Sequence, residues 1–537
     1  MLIDLRERRD APTGPSDVCI VGAGVAGLAL ARRLAGLGHT VCMLESGGLD
    51  FEQPTQDLYR GANLGMTYYD LDQSRLRFFG GTLGIWGGRC SLLDPIDFER
   101  RDWVPHSGWP IGRADLDPYY RAAHAQFELG EFNYEHDIWS ALGVPPLAFD
   151  PDQLTARLWR FDEESERFGV ARSKDLLDAP SVRIVLHANA VHLQAGPEAP
   201  TIRHVVVRPL GGEAREVKAR HYVLACGAIE NARLLLASND VEAAGIGNRH
   251  DQVGRYFMEH PCGRIGRVHT AHPYAMWDAF QKRYLPSGPP LAPVLRMGDA
   301  TQRAARALNS VVTFKLQRSP GLGVPFGNTI YQNLKHGIAP NRRGRALDHA
   351  YRAVRGWFHR ELRGAFERVR ARRGGSGLYL IVRGEQAPNP DSRVRLSRER
   401  DALGSPRADL DWQLSAADKH SARVFAQTFD AELRRLGLGT LEPSEWLASP
   451  EVQWPVDATV GNHPIGGYHH MGTTRMSADP AHGVVTADCN VFGYDNLFIA
   501  GSSVFSTGGW SNPTLTLVAL ALRLADHLDA RLKTAPA

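Results

Sequence analysis

Six residues near the start constrain this chain more than any others: Gly22-Ala23-Gly24-Val25-Ala26-Gly27. They follow directly on a short β-branched apolar run, Asp17-Val18-Cys19-Ile20-Val21. After them Leu28, Ala31, Leu34 and Ala35 recur near helical spacing, and Gly38 is placed to stop a helix at about Leu37. A second apolar run, Val41-Cys42-Met43-Leu44, ends at Glu45. Together these make one strand–helix–strand unit of about the 30 residues such a unit needs. Gly22 permits the tight turn, Gly24 lets a pyrophosphate approach the backbone, and Gly27 lets the helix pack closely on the strand. Phosphates then sit at the positive helix N-terminus. Glu45 would accept hydrogen bonds from adenosine ribose hydroxyls, and its charge would repel a 2′-phosphate, which argues against NADP. An ordinary tight turn is the bland alternative; the acid at the end of the second strand favours a dinucleotide. The unit alone does not separate FAD from NAD.

The chain has 537 residues, more than one hydrophobic core usually holds, so two or more domains are expected. Its apolar share of 43% and charged share of 23% suit a soluble globular protein. A net charge of only +3 gives no reason to expect nucleic acid. The opening MLIDLRERRDAPTGPSD has no apolar core and does not read as a secretory signal. The apolar run Leu515–Leu522 is interrupted by Arg523 and Asp526 and is far shorter than the roughly 20 residues a membrane span needs. The six cysteines form no CxxC pair, and Cys19 and Cys42 lie in runs that read as buried strands. No metal site is expected, and a reduced, cytoplasmic chain fits this usage best.

Residues 77–90, RFFGGTLGIWGGRC, are too glycine-dense for a regular helix. A strand-rich stretch runs from Val182 to Leu224, followed by a helix from Gly227 to about Ala237. From about Arg264 to Pro464 the patterns are mixed. The strand Leu497-Phe498-Ile499-Ala500, a glycine turn and a helix after Pro513 then restore α/β character.

Five stretches occur in a telling order: Phe79-Gly80-Gly81-Thr82, Val253-Gly254-Arg255-Tyr256-Phe257-Met258-Glu259-His260-Pro261, Tyr468-His469-His470-Met471-Gly472-Thr473, Asn496 through Ser503, and Ser511-Asn512-Pro513-Thr514-Leu515-Thr516. With them the chain closely resembles the glucose–methanol–choline (GMC) oxidoreductases, nearest in look to the branch with pyranose 2-oxidase and the bacterial FAD-linked sugar dehydrogenases. The resemblance implies an α/β fold, with a discontinuous Rossmann-like FAD-binding domain and an α+β substrate domain whose sheet lies over the flavin. It places the FAD-binding domain at 1–135, 180–263 and 465–537 and the substrate domain at 136–179 and 264–464. The cofactor contacts it implies are Gly22, Gly24, Gly27, Glu45, Gly80, Gly81, Val191, Gly501, Ser502, Pro513 and Thr514. Relatives with covalent flavin often carry a histidine in the glycine-rich loop; aligned on Gly80-Gly81-Thr82 and Trp86, that position is Ile85, so non-covalent FAD is expected.

Oxidising a CH–OH carbon requires removal of a hydride and of the hydroxyl proton. Neutral histidine is a suitable base near physiological pH. By the resemblance His469, in its H-x-x-G-T motif, is the base, and Asn512 occupies the second catalytic position, where its amide would hold the substrate oxygen. Pro513 suits a first helical position, so Asn512 also reads as a plain N-cap. Helix N-terminal charge would favour a reduced flavin. His470 is expected to line the pocket or serve structure, and His260 to be structural or near the flavin rather than catalytic. The expected substrate is a sugar, glycoside or polyol, with a terpenoid, aryl or aliphatic alcohol as the alternative. Oxygen, a quinone or another carrier would reoxidise the flavin.

Other classes fit less well. Gly509-Trp510-Ser511-Asn512-Pro513 fails as a nucleophile elbow because its last residue is proline. His469-His470 without a nearby carboxylate at helical spacing is a poor metal motif. An FAD-containing lyase that cleaves cyanohydrins is the serious alternative, and a non-catalytic binding protein sits badly with both His469 and Asn512 present. The arginine-rich segment 342–373 reads as a solvated amphipathic helix whose Leu347, Tyr351, Val354, Trp357 and Phe358 pack on the substrate domain; contact with an anionic membrane or an acidic partner is the other reading.

Overall fold

A computed structural model describes residues 1–7, 14–135, 138–144, 147–164, 166–196, 201–285, 288–316, 341–362, 377–452, 454–457, 465 and 467–534. The expected strand–helix–strand unit is there: strand Ser16–Val21, helix Val25–Gly36 and strand Val41–Leu44. These strands are short and apolar throughout, as strands buried on both faces must be. They lie inside a six-stranded parallel sheet, ordered Leu2–Asp4, Val182–Leu186, Val41–Leu44, Ser16–Val21, Ala219–Leu224, Leu497–Ile499. Residues from both ends of the sequence are thus neighbours in one sheet. Helix Thr514–Thr534 packs against Val25–Gly36 and against Arg113–Gln126, burying Leu515, Val518, Leu522 and Leu528.

A seven-stranded antiparallel sheet forms the second layer. Its order is Thr440–Pro443, Cys262–His269, Leu378–Gly384, Ser310–Leu316, Leu291–Met297, Leu154–Phe161, Arg89–Cys90. Register decides what faces the interior between the layers. Arg89 pairs with Phe161, Trp159 with Ala292, Val311 with Arg383, and Arg383 with Cys262. Paired residues share a face, and alternation along each strand adds Thr313 and Lys315 to it. A hairpin, Arg393–Arg400 with Pro406–Asp411, packs instead on helix Ala228–Ala237.

The two layers are joined by a buried polar network. Arg101 makes a double hydrogen-bonded pair with Glu385, both side chains fully buried, at 2.9 and 2.5 Å. Asn309 donates from its backbone to Glu385 and from its side chain to Asp94 and Asp97. Arg157 and Arg296 pair with Asp94, and the Trp510 indole donates to the same carboxylate at 2.6 Å. The guanidinium groups of Arg296 and Arg157 hold the Asp94 carboxyl down at about 2 against the opposing effect of burial.

Helix Arg342–Glu361 overturns one expectation. Its Leu347, Val354 and Trp357 are 56%, 63% and 52% exposed while Tyr351 and Phe358 are half-buried, so only part of the apolar stripe is covered. The helix is instead held through its arginines: Arg345 pairs with Asp50 and Glu166, and Arg352 donates to the Trp86 carbonyl at 2.9 Å. Charge adds to what apolar cover this helix has. Residues 363–373 of the arginine-rich stretch lie outside the described residues. Among the described residues, no helix is long and apolar enough to cross a membrane, and no group of three or more His, Cys, Asp or Glu could hold a metal. The six cysteines are unbridged.

Candidate active site

One cavity of about 910 Å³ runs between the two layers. At one end stands the glycine turn. Gly22 has φ +109°, and a Cβ there would lie 2.6 Å from the Ala225 carbonyl oxygen. A Cβ on Gly27 would lie 2.1 Å from the Gly22 carbonyl oxygen, so Gly27 serves helix packing and does not line the cavity. Gly24, Gly227 and Gly501 do line it, and a Cβ at each would meet nothing within 4 Å. The space in front of these three is a cradle that side chains would fill. Glu45, buried, accepts from the amides of Ala23 and Gly47, both at 2.9 Å, while burial pushes its carboxyl above the usual range. Arg77, also buried, lines this end with its Nε making no hydrogen bond. A buried cation, an open glycine cradle and a helix N-terminus fit a dinucleotide pyrophosphate.

The remaining expected contacts divide. Gly81, Ile85, Ser502, Pro513 and Thr514 line the cavity. Gly80 sits just behind, with φ +94°, its amide donating to the Ala23 carbonyl at 2.9 Å. Val191 falls at a bulge between Ala190 and His192 and is not among the lining residues; Ala188 and Ala190 are.

Further along, His469 and Asn512 meet. Asn512 Nδ2 is 3.0 Å from His469 Nε2, and both residues line the cavity. Asn512 is therefore placed against His469, not only at the start of its helix. His469 Nδ1 lies 2.7 Å from His260 Nδ1, and His260 Nε2 lies 2.9 Å from the Gly509 carbonyl oxygen. A carbonyl only accepts, so His260 carries its proton on Nε2. Burial, reinforced by the Arg383 charge, lowers His260 to about 3, so the ring is neutral and Nδ1 holds a lone pair. That lone pair accepts from His469 Nδ1–H. His469 is also neutral, driven well below the ordinary histidine range by burial and then by His260, Arg383, His470 and Arg89. Its Nε2 is thus unprotonated, and the Asn512 amide donates to it. The Asn512 Oδ1 is buried without a hydrogen bond and is free to accept one.

Glu259 holds the two histidines from below. Its carboxylate oxygens accept from the backbone amides of His469 at 2.7 Å and His260 at 3.0 Å and from the Tyr68 hydroxyl at 2.6 Å. Burial raises this carboxyl to about 8. His470 turns the other way, between the rings of Tyr68 and Phe257, where burial lowers it to about 3. Nothing in the sequence pairs His260 with His469; 209 positions separate them. Glu259 went unweighed beside its histidine neighbour. The residues of the upper sheet, Trp159, Lys315 and Arg383, carry no motif at all; cations alternating within apolar strands were the available signal.

This fold, a parallel sheet and an antiparallel roof with a cavity between them, is that of an FAD-dependent oxidoreductase. Residues 17–244 match the FAD dependent oxidoreductase profile, and residues 388–521 match the GMC oxidoreductase profile. The chain is an FAD-dependent oxidoreductase acting on CH–OH donors, and its residues 388–521 resemble the GMC oxidoreductases. It is 26% identical to 6'''-hydroxyparomomycin C oxidase of Streptomyces lividus, over 97% of this chain and 96% of the relative. It is 24% identical to the fructose dehydrogenase large subunit of Gluconobacter japonicus, over 96% of this chain and 98% of the relative. Among solved structures, pyridoxine 4-oxidase from Mesorbium loti superposes with a TM-score of 0.52 at 18% identity, over 95% of this chain and 98% of that one, which speaks to the fold alone.

Proposed function

We propose that this enzyme oxidises a hydroxyl-bearing carbon of a sugar, glycoside or similar polyol, with His469 as base and Asn512 holding the substrate oxygen. The observation that carries the reading is the unprotonated Nε2 of His469, 3.0 Å from the Asn512 amide in the wall of the cavity. When bound, the flavin supplies the acceptor for the hydride. The chain's own work is the proton. His469 Nε2 takes it from the substrate hydroxyl, and the His260–Gly509 contact keeps Nδ1 as the donor, so the lone pair stays on Nε2. Asn512 donates to the substrate oxygen or accepts from it. The substrate class is supported by relatives named for fructose, an aminoglycoside and 2-methyl-1,2-propanediol.

Several finer points belong to the same reading. Gly24, Gly227, Gly501, Glu45 and Arg77 hold the dinucleotide, and Ile85 leaves no covalent link, so acid precipitation should release all flavin into solution. The parallel sheet and the roof sheet correspond to cofactor and substrate domains. The unbridged cysteines suit a reducing cytoplasm.

The test is anaerobic stopped-flow reduction with a panel of sugars, glycosides and simple alcohols. His469→Ala should still bind FAD and slow reduction by about 10²–10⁴-fold. Reduction at the parent rate in that variant removes His469 as the base; FAD-loaded enzyme bleached by no hydroxyl compound sinks the reading.

A further inference from the structure

Helix Arg342–Glu361 presents apolar residues to solvent. It turns Arg345 and Arg352 toward the protein, onto Asp50, Glu166 and the Trp86 carbonyl. Its outer face carries Leu347, Ala350, Val354 and Trp357, whose spacing makes them one stripe of an α-helix, and all four are exposed. Ala346 and Ala353, also exposed, widen the stripe. Among the described residues eleven large apolar side chains are exposed, and four of them, Leu347, Val354, Trp357 and Leu362, fall within residues 347–362. Single exposed apolar side chains are ordinary, whereas a cluster on one element marks a contact surface.

Charge around the stripe selects the partner. The helix holds six arginines, at 342, 343, 345, 352, 355 and 360, against two acids, Asp348 and Glu361. Arg342 and Arg343 stand exposed in its first turn, where positive charge opposes the helix dipole, so helix stability does not account for them. A second copy of this chain would set like charge against like. A purely acidic surface would answer the arginines and leave Trp357 and its neighbours wet. An anionic bilayer surface meets both demands: headgroups for the arginines, and an apolar layer for Leu347 and Val354 with the indole at the interfacial depth that tryptophan favours. We propose that helix Arg342–Glu361 docks the enzyme peripherally on a surface of anionic phospholipid, lying flat with Trp357 at the centre of the buried stripe. This goes beyond the oxidation reading and uses none of its residues.

Flotation of the full FAD-loaded chain with vesicles tests it. Vesicles of phosphatidylcholine alone are compared with vesicles in which about a third of the lipid is phosphatidylglycerol. The chain should bind the anionic vesicles at least about tenfold more tightly, and added salt should narrow the gap. Leu347→Ser with Trp357→Ser, and separately Arg342→Gln with Arg343→Gln, should each weaken binding to the anionic vesicles by about tenfold. Both variants change exposed side chains, so flavin content and melting temperature should stay at the parent values. Absence of binding, equal binding to the two kinds of vesicle, or anionic binding untouched in the double serine variant overturns the proposal. Two further results overturn it by naming another occupant. Polyglutamate bound as tightly as the anionic vesicles at equal charge would assign the face to an acidic protein. A dimer in sedimentation velocity that the double serine variant dissolves would assign it to a second copy.

Discussion

His260, His469 and His470 are neutral inside the fold because burial penalises their charged forms. In the unfolded chain each titrates near 6.5. Above that pH both states are neutral and these residues contribute no pH dependence. Below it the unfolded chain takes up protons that the folded chain refuses, so stability falls as pH falls, with a slope approaching three protons. Glu259 acts with the opposite sign: its folded value of about 8 lies above the unfolded one, so its effect costs stability as pH rises from about 4.5 to about 8. Thermal melts across pH 4.5–7 should therefore steepen on the acid side, and His470→Phe should remove about one proton from that slope. An unchanged slope in His470→Phe would mean that His470 is already charged in the fold. His469 and Asn512 stood out in the sequence because each sits in a recognisable motif. The tautomer that leaves the lone pair of His469 on Nε2 did not, since it depends on the Gly509 carbonyl and on a histidine from a distant loop.

Among elements, the glycine turn separates two roles that the sequence motif runs together. Gly24 faces open space, whereas Gly27 faces the Gly22 carbonyl at a distance no Cβ tolerates. Gly24→Leu should fold, melt near the parent without cofactor, and lose flavin because its side chain fills the cradle. Gly27→Leu should fail as a fold, at a cost above about 4 kcal/mol, because the opposing group is backbone. Soluble yield and the ratio of absorbance at the flavin band to that of the protein distinguish the two. The turn was readable because three glycines and an acid lie within one short unit. Helix Arg342–Glu361 was readable as a helix but not in its orientation. Periodicity says which residues share a stripe, not whether the stripe meets the core, and here Arg345 and Arg352 fix the helix by ion pairing and a carbonyl contact.

Over the whole molecule, the Arg101–Glu385 pair ties the roof sheet to the segment that also carries Asp94 and Asp97. Arg101→Ala would strand a buried carboxylate and should cost about 3–5 kcal/mol, whereas the double change Arg101→Met with Glu385→Leu should recover most of it. Chemical denaturation of the three proteins decides this; equal losses in the single and double variants would show that packing, not charge, is at stake. The parallel sheet was foreseeable apart from its edge strand Leu2–Asp4, whose three residues are too few to carry a periodicity. The roof was not, because its seven strands come from residues 89 to 443 and its inward face is set by pairing register, which a single sequence leaves open.

The parallel sheet also has a consequence for how the enzyme is made. Its outer strand, Leu497–Ile499, pairs with Ala219–Leu224, so an apolar edge waits while the intervening chain is translated. At about 5–20 residues per second, Leu497 follows Leu224 by roughly 14 to 55 s, and Asn512 comes later still. A nascent chain can therefore neither close this sheet nor assemble the base pair of His469 and Asn512. Chaperone occupancy of ribosome-bound chains, and slow growth with ample riboflavin, should govern how much active enzyme a cell yields.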